Sequence, residues 1–164
     1  SVLERDDLIA SEEVRGKVGR PHFAYSLTDG SREYFPRADH QVASRFLDAM
    51  RRLASPEQMD LLVEQVAEQW AAERRHRVEG KDLEDRIAEV ARIRTEEGAV
   101  AEWERYDGGY LIHQHHCPAC RIADDHPEVC RAELEYIRRL LAVPVSRQVS
   151  RLGGQKKCSY RVGF

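Results

Sequence analysis

The stretch HQHHCPACRIADDHPEVC, from His113 to Cys130, concentrates the soft donor atoms of this chain. It holds four of the seven histidines and three of the four cysteines, and only Cys158 lies outside it among the cysteines. Thiolate and imidazole ligands at this density are typical of a metal centre or of thiol redox chemistry. A strand-like pattern precedes the stretch, and Pro127 opens a helical pattern after it, so this segment decides how the C-terminal half folds.

The cysteine spacing predicts one shared centre. Cys117 and Cys120 form a C-x-x-C loop, Cys130 falls in the first turn of a helix, and Cys158 arrives from the last hairpin. The positive end of that helix is expected to lower the pKa of the Cys130 thiol. Thiolates suit zinc or an iron-sulfur cluster, and separations of 2, 9 and 27 residues do not repeat like the paired knuckles of a zinc ribbon. Buried cysteines that serve only as small apolar residues are the competing interpretation.

Enzymatic uses of the same residues fit less well, and we predict no enzyme. Cys117 and His116 are adjacent in the chain, and adjacent side chains seldom face each other as a nucleophile and base do. A thioredoxin-like motif opens a helix after a strand in a βαβ unit, whereas the predicted helix here begins about ten residues after the C-x-x-C.

Periodicity outside the stretch predicts an α+β protein with three regions. Residues 39–80 read as two connecting helices, and an apolar stripe of Leu62, Val66 and Trp70 on the second is a candidate dimer contact. Residues 81–164 read as helix, strand, strand, helix, strand, strand, with a turn at residues 107–109. Residues 1–38 read as a hairpin with basic residues at its loop.

Net charge and hydropathy restrict the classes of partner that the chain is expected to bind. A net charge of -3 provides no overall attraction to nucleic acid, so DNA binding needs a local patch, for which Arg15, Lys17 and Arg20 are the candidates. No apolar run is long enough to cross a bilayer, and the N-terminus has no leader pattern, so we expect a cytoplasmic protein without membrane contact.

Three segments together resemble the C-terminal domain of SufR-type regulators, the iron-sulfur repressors of cluster-assembly operons. They are HHCP, PEVCRAELEYIRRLLAVPVSR and KKCSYRV, within residues 82–164. The resemblance implies that Cys117, Cys130 and Cys158 hold a 4Fe-4S cluster, with a 2Fe-2S cluster or zinc as alternatives. The family pattern does not include Cys120, so the fourth ligand stays open. Cys120 is one candidate, and His116, then His113, His115 or His126, are the alternatives.

The segment LERDDLIASEEVRGKVGRPHFAYSLTDGSREYFP resembles the end of a recognition helix, a strand and the wing of an ArsR- or DeoR-like winged helix-turn-helix. Residues 1–38 would then be a partial, N-terminally truncated DNA-binding domain, with Arg15, Lys17 and Arg20 on phosphates. Residues 39–80 would be connecting and dimerisation helices, and 81–164 the cluster-binding sensor domain. The resemblance implies a homodimeric, redox-sensing repressor that binds operator DNA and controls cluster-assembly genes. The alternative is a zinc-stabilised DNA-binding or protein-interaction module without redox sensing.

Overall fold

Helices and antiparallel sheets both build this chain, which confirms the predicted α+β class. The computed structural model describes residues 1–16, 20–35, 38–106, 108–150 and 153–163. Within them the chain divides into two compact units, Ser1–Asp39 and His40–Phe164. No helix in the described ranges is both long and apolar enough to cross a membrane.

The first unit is a two-stranded hairpin with short helical segments at its ends. Its elements are α1 (Val2–Arg5), β1 (Ile9–Val14), β2 (His22–Leu27) and a 3-10 turn (Asp29–Tyr34). The predicted N-terminal hairpin is present, with Ile9 opposite Leu27. Ser31 is the one buried residue among those described here, and Phe23, Tyr25 and Leu27 lie exposed on a common face of β2. The described part of this unit therefore has no apolar core.

The second unit combines five helices with a four-stranded sheet. Local signals explain the main helix starts, because Ser55 forms a capping box ahead of Pro56 and Asp82 caps the next helix. The elements are α2 (Asp39–Leu53, beginning one residue earlier), α3 (Pro56–Val78), α4 (Leu83–Glu96), β3 (Ala101–Tyr106), β4 (Gly109–Gln114), α5 (Cys120–Ala123), α6 (Pro127–Leu141), β5 (Val145–Val149) and β6 (Cys158–Val162). The predicted order of helices and strands is present, with the single turn α5 inserted between β4 and α6.

The sheet has the antiparallel order β3-β4-β6-β5. Strand β6 pairs with β4 so that Tyr110 lies opposite Val162 and Gln114 lies opposite Cys158. Gly109 has a φ of +142°, and a Cβ there would lie 2.4 Å from the carbonyl oxygen of Val162. Only glycine allows this close approach, so Gly109 is needed where β4 begins.

The core lies between the sheet and the helices α3, α4 and α6. Helix α3 packs along α6, and Ala67 and Ala71 are fully buried. The predicted stripe of Leu62, Val66 and Trp70 lies beside this buried face and stays partly exposed, because the small alanines make the close contact with α6. The buried residues of α3 are Met59, Val63, Ala67, Ala71 and Val78.

Glu89 is the most prominent buried charge between α3 and α4, with only 4% of its surface exposed. Its carboxylate lies 2.6 Å from Arg77 and 3.2 Å from Lys81, and it also pairs with Arg92. Burial raises the pKa of Glu89, but hydrogen bonds from Arg77 and Lys81 outweigh burial, and the resulting pKa lies below its ordinary value. The ionised carboxylate thus stabilises the packing of the two helices.

We expect Glu89→Gln to lower the free energy of unfolding by about 1.5–3 kcal/mol at neutral pH, because charged hydrogen bonds to the cations are lost. The folded pKa lies below the unfolded one, so this contribution is present above the unfolded value, near 4.5, and disappears as the pH falls through the folded value. Denaturant unfolding at a series of pH values measures it. Glu73→Gln is the control, because Glu73 is exposed and its ion pair with Arg74 is long, at 3.7 Å. Equal losses in both variants at neutral pH would contradict the assignment.

Candidate metal centre

All four cysteines line one small cavity in the second unit. The cavity lies between the end of β4, the loop and turn that follow, the start of α6, and β6. Its remaining lining residues are Gln114, Ala123, Asp124 and Glu133. None of the cysteines forms a disulfide. Residues 41 positions apart in the chain, Cys117 and Cys158, thus reach the same cavity as the sequence spacing predicts.

The loop that carries Cys117 is fastened to the turn before β3. The backbone N–H of His115 donates to the carbonyl of Val100 over 3.2 Å, and that of His116 donates to Ala99 over 3.0 Å. Cys120 then begins α5, a single turn that the sequence analysis missed, and its N–H donates to the Cys117 carbonyl over 3.2 Å. This turn brings both sulfurs of the C-x-x-C to the cavity.

Cys130 and Cys158 lie deeper than the other two cysteines. They are 8% and 9% exposed, whereas Cys117 and Cys120 are half-buried. Cys158 lies opposite Gln114 in the β4–β6 ladder, and directly paired residues project from the same face of a sheet. That face is the one covered by α6, which carries Cys130.

The donor set fits a thiolate-bound metal centre, although its ligands are not gathered closely. The cavity has a volume of about 10 Å³, roughly that of one water-sized atom. No three His, Cys, Asp or Glu side chains in the described ranges stand ready to bind a single ion. A cleft of about 330 Å³ adjoins the cavity and shares Cys117, Ala123, Cys130 and Glu133 with it. Cys117 and Cys130 thus border both the small cavity and the larger cleft.

The histidines of the stretch do not line the cavity. His113 projects to the opposite face of the sheet, where its ring contacts Ser159 at 2.8 Å and Glu104 at 3.0 Å. His115 contacts Glu102 at 2.7 Å, and His116 is exposed. His126 is 1% exposed, and its Nδ1 has no hydrogen-bond partner within the described ranges. Among the candidates for a fourth ligand, the cavity includes Cys120 and does not include His116.

The expected acidic shift of Cys130 is not found. Burial raises the pKa of the Cys130 thiol to about 11, and the nearby Arg147 guanidinium lowers it only in part. Burial also raises the pKa of Cys117. Desolvation outweighs the helix N-terminus here because the Cys130 side chain points into the protein interior. In the metal-free chain these thiols are neutral at pH 7, so metal binding must displace their protons.

A group of charged and polar side chains beside the cysteines was missed by sequence reasoning. Arg94 is 6% exposed and donates to Glu133 and Glu97. Arg147 donates to the backbone carbonyl of Cys130, and its guanidinium lies 5.3 Å from the centre of the Tyr160 ring. The available signal was Arg94 itself, a charged residue at an apolar position of the α4 pattern.

Two of the three residues predicted to contact DNA, Arg15 and Arg20, are described by the structure, and both lie in the first unit. Arg15 is exposed just after β1, where its guanidinium pairs with Glu13 at 3.0 Å. Arg20 is exposed just before β2. Lys17 lies outside the described residues.

Comparisons of the chain with protein-family models, with curated proteins and with solved structures found no match. Its function is therefore inferred from its residues and their placement.

Proposed function

We propose that this chain belongs to a cytoplasmic transcriptional repressor that uses an iron-sulfur cluster to sense redox or iron status. It acts as a sensor and not as an enzyme, and it controls genes of cluster assembly. The observation that carries the proposal is the cavity lined by Cys117, Cys120, Cys130 and Cys158. When bound, an iron-sulfur cluster supplies a group whose loss or change of oxidation state reports the surrounding redox conditions.

The four thiols would hold a 4Fe-4S cluster from three separate parts of the fold. Cys117 and Cys120 come from a loop that rests on the turn before β3, Cys130 from α6, and Cys158 from β6. Binding at all four would tie the loop and the last hairpin to α6. We propose Cys120 and not His116 as the fourth ligand, because Cys120 lines the shared cavity.

The partly buried guanidinium of Arg147 suits the site to an anionic cluster. It donates to the backbone carbonyl of Cys130, whereas the buried Arg94 reaches the site only through its ion pair with Glu133. Positive charge close to a thiolate-bound centre favours its negatively charged form, especially where water is excluded. The partial compensation by Glu133 keeps the metal-free site from carrying unpaired buried charge.

Zinc is the second candidate. Four thiolates form a usual structural zinc site, and all four cysteines line the cavity. The chain would then be a zinc-stabilised DNA-binding or protein-interaction module without redox sensing.

DNA binding is proposed for the first unit. Its antiparallel hairpin would serve as the wing, with Arg15 just after β1 and Arg20 just before β2 on phosphates, together with Lys17. Glu13 already pairs with Arg15, so this patch by itself is a modest electrostatic contact. Sequence-specific binding would depend on a recognition helix together with this wing.

A homodimer is proposed because an operator with two-fold symmetry requires a two-fold protein. Helix α2 offers the most exposed apolar face, with Val42 at 50%, Phe46 at 64% and Leu53 at 87%. The stripe on α3 is less available, because the Trp70 ring packs edge-on against Tyr136 at 5.9 Å.

Replacing any one of the four cysteines by serine should abolish or strongly reduce cluster binding, since each supplies a thiolate to the same cavity. His116→Ala is the matched control and should retain the cluster. The measurement is anaerobic reconstitution followed by iron, sulfide and zinc quantification, with the visible absorption and its bleaching in air.

Three results would redirect this assignment. A colourless protein with one zinc per chain would establish the zinc alternative. A mild Cys120→Ser effect with a severe His116→Ala effect would exchange the fourth ligand. Equal iron content in all variants and the wild type would remove the site.

The dimer proposal predicts that Phe46→Glu shifts the protein to monomer, because a buried unpaired charge in an apolar contact is strongly unfavourable. Gln41→Glu adds the same charge to an exposed polar position of α2 and should leave the dimer intact. Sedimentation velocity at micromolar concentration measures both variants. A wild-type monomer under these conditions, with and without cluster, would rule out dimerisation through this face.

The sensor proposal predicts that cluster removal weakens operator binding by a factor of about 5 to 150, the usual size of allosteric coupling. The test is an anaerobic titration of labelled promoter DNA from cluster-assembly genes with the protein in its cluster-loaded and cluster-free forms, at one salt concentration. Identical affinities would leave the cluster as a structural element and reject sensing.

A further inference from the structure

Glu133 on α6 is a hydrogen-bond hub between three elements of the second unit. Its carboxylate accepts from Arg94 on α4 and from the Tyr160 hydroxyl on β6 at 2.8 Å. With its side-chain amide assigned from the surrounding hydrogen bonds, Gln114 on β4 donates to Glu133 over 3.0 Å and accepts from Arg94 over 3.1 Å. The side chains of Glu133 and Arg94 are 13% and 8% exposed, so these contacts form largely out of water.

Each hub residue on a cysteine-bearing segment lies close in sequence to the cysteine of that segment. Glu133 follows Cys130 by one helical turn and lies on the same face of α6. Tyr160 follows Cys158 by two residues and lies on the same face of β6. Gln114 ends the strand from which the cysteine loop departs. The pairs are Glu133 with Cys130, Tyr160 with Cys158, and Gln114 with Cys117.

From this arrangement we propose that Glu133 is a positioning residue for the cysteine centre. Its carboxylate holds α6, β4 and β6 at the separation at which their cysteines reach one cavity. The expected effect of Glu133 on metal affinity rests on the proposed metal-binding function. Its effect on the positions of the cysteines does not, because the contacts of Glu133 are present in the metal-free chain.

Glu133 acts through these contacts and not as a metal ligand. One carboxylate oxygen accepts from Arg94 and Gln114, and the other accepts from Tyr160 and lies 4.0 Å from Arg147. A carboxylate offers about four acceptor positions, so most of its capacity is used. Glu133 is therefore assigned to positioning, and the spectrum of the metal-bound protein tests this role against ligation.

The hub also extends to the helices away from the cysteines. Arg94 donates to Glu97, and its guanidinium lies 5.9 Å from the centre of the Tyr136 ring. The Tyr136 hydroxyl donates to Glu97 over 3.0 Å, and its ring contacts Trp70 of α3. A change in how Glu133 holds the cysteine segments therefore acts directly on contacts of α3 and α4.

The test compares Glu133→Gln with Glu135→Gln in the same helix. Glu135 is 31% exposed and pairs with Arg138 one turn along, so this control removes an equal charge from outside the hub. Tyr160→Phe is the milder second variant, because it removes one hydrogen bond and keeps the buried ring.

The first measurement is iodoacetamide labelling of Cys130 and Cys158 in the folded, metal-free protein, followed by mass spectrometry. We expect Glu133→Gln to label roughly tenfold faster, as expected when a charged hydrogen bond that restrains local opening is lost. Tyr160→Phe should show a smaller increase and Glu135→Gln none. Wild-type labelling rates in Glu133→Gln would overturn the proposal.

The second measurement is an anaerobic cobalt titration followed by visible absorption. If Glu133 is a positioning residue, Glu133→Gln lowers the affinity for cobalt about 10- to 100-fold. The thiolate-to-cobalt absorption at saturation then keeps its shape. A changed spectrum at saturation would make Glu133 a ligand and overturn the positioning role. If the wild type binds neither cobalt, zinc nor iron, the metal-binding proposal fails separately. The labelling rates then decide the role of Glu133, with faster labelling supporting it and unchanged labelling rejecting it.

Discussion

The register of β6 against β4 is the constraint on which the cysteine site depends. It places Cys158 opposite Gln114 and turns Cys158 and Tyr160 toward α6. A shift of one residue would send both side chains to the other face of the sheet, because strand side chains alternate. Gly109 supports this register at the far end of the ladder, since its close approach to the Val162 carbonyl leaves no space for a side chain.

A second consequence of this register is that charged residues meet inside the protein. Arg94, Glu133 and Arg147 lie between α4, α6 and the sheet, with Tyr160 and Gln114 supplying further hydrogen bonds. A buried ion pair contributes little net stability compared with well-packed apolar side chains, whereas the loss of one member leaves a buried charge unpaired. Such a group is better understood as a means of fixing geometry, and the geometry it fixes is that of the cysteine segments.

The electrostatics of the site differ between its metal-free and thiolate forms. Burial keeps the thiols of Cys117 and Cys130 protonated without metal. The Arg147 guanidinium lowers the pKa of Cys130 and so favours negative charge there, whereas the Glu133 carboxylate opposes it. The same burial that disfavours bare thiolates therefore excludes water from the bound centre and strengthens the attraction to nearby cations.

The sequence by itself determined the longer helices and the strands, because their signals are local, and it missed the single turn α5. Ser55 and Pro56 define the start of α3 through backbone hydrogen bonds and a fixed φ angle, and alternation marks β3. It also indicated that the cysteines share a site. Cys117, Cys130 and Cys158 fall at a loop, a helix start and the last strand, and these three segments can converge at one point of such a fold.

Only the tertiary structure decided which side chains surround that site. The buried face of α3 depends on how closely Ala67 and Ala71 approach α6, and no local periodicity specifies that distance. The partners of Glu133 come from α4, β4 and β6, so they are known only when the register of the sheet is known. The direction of the Cys130 pKa follows the same rule, because desolvation depends on what covers the thiol and the helix N-terminus is only one of the contributions.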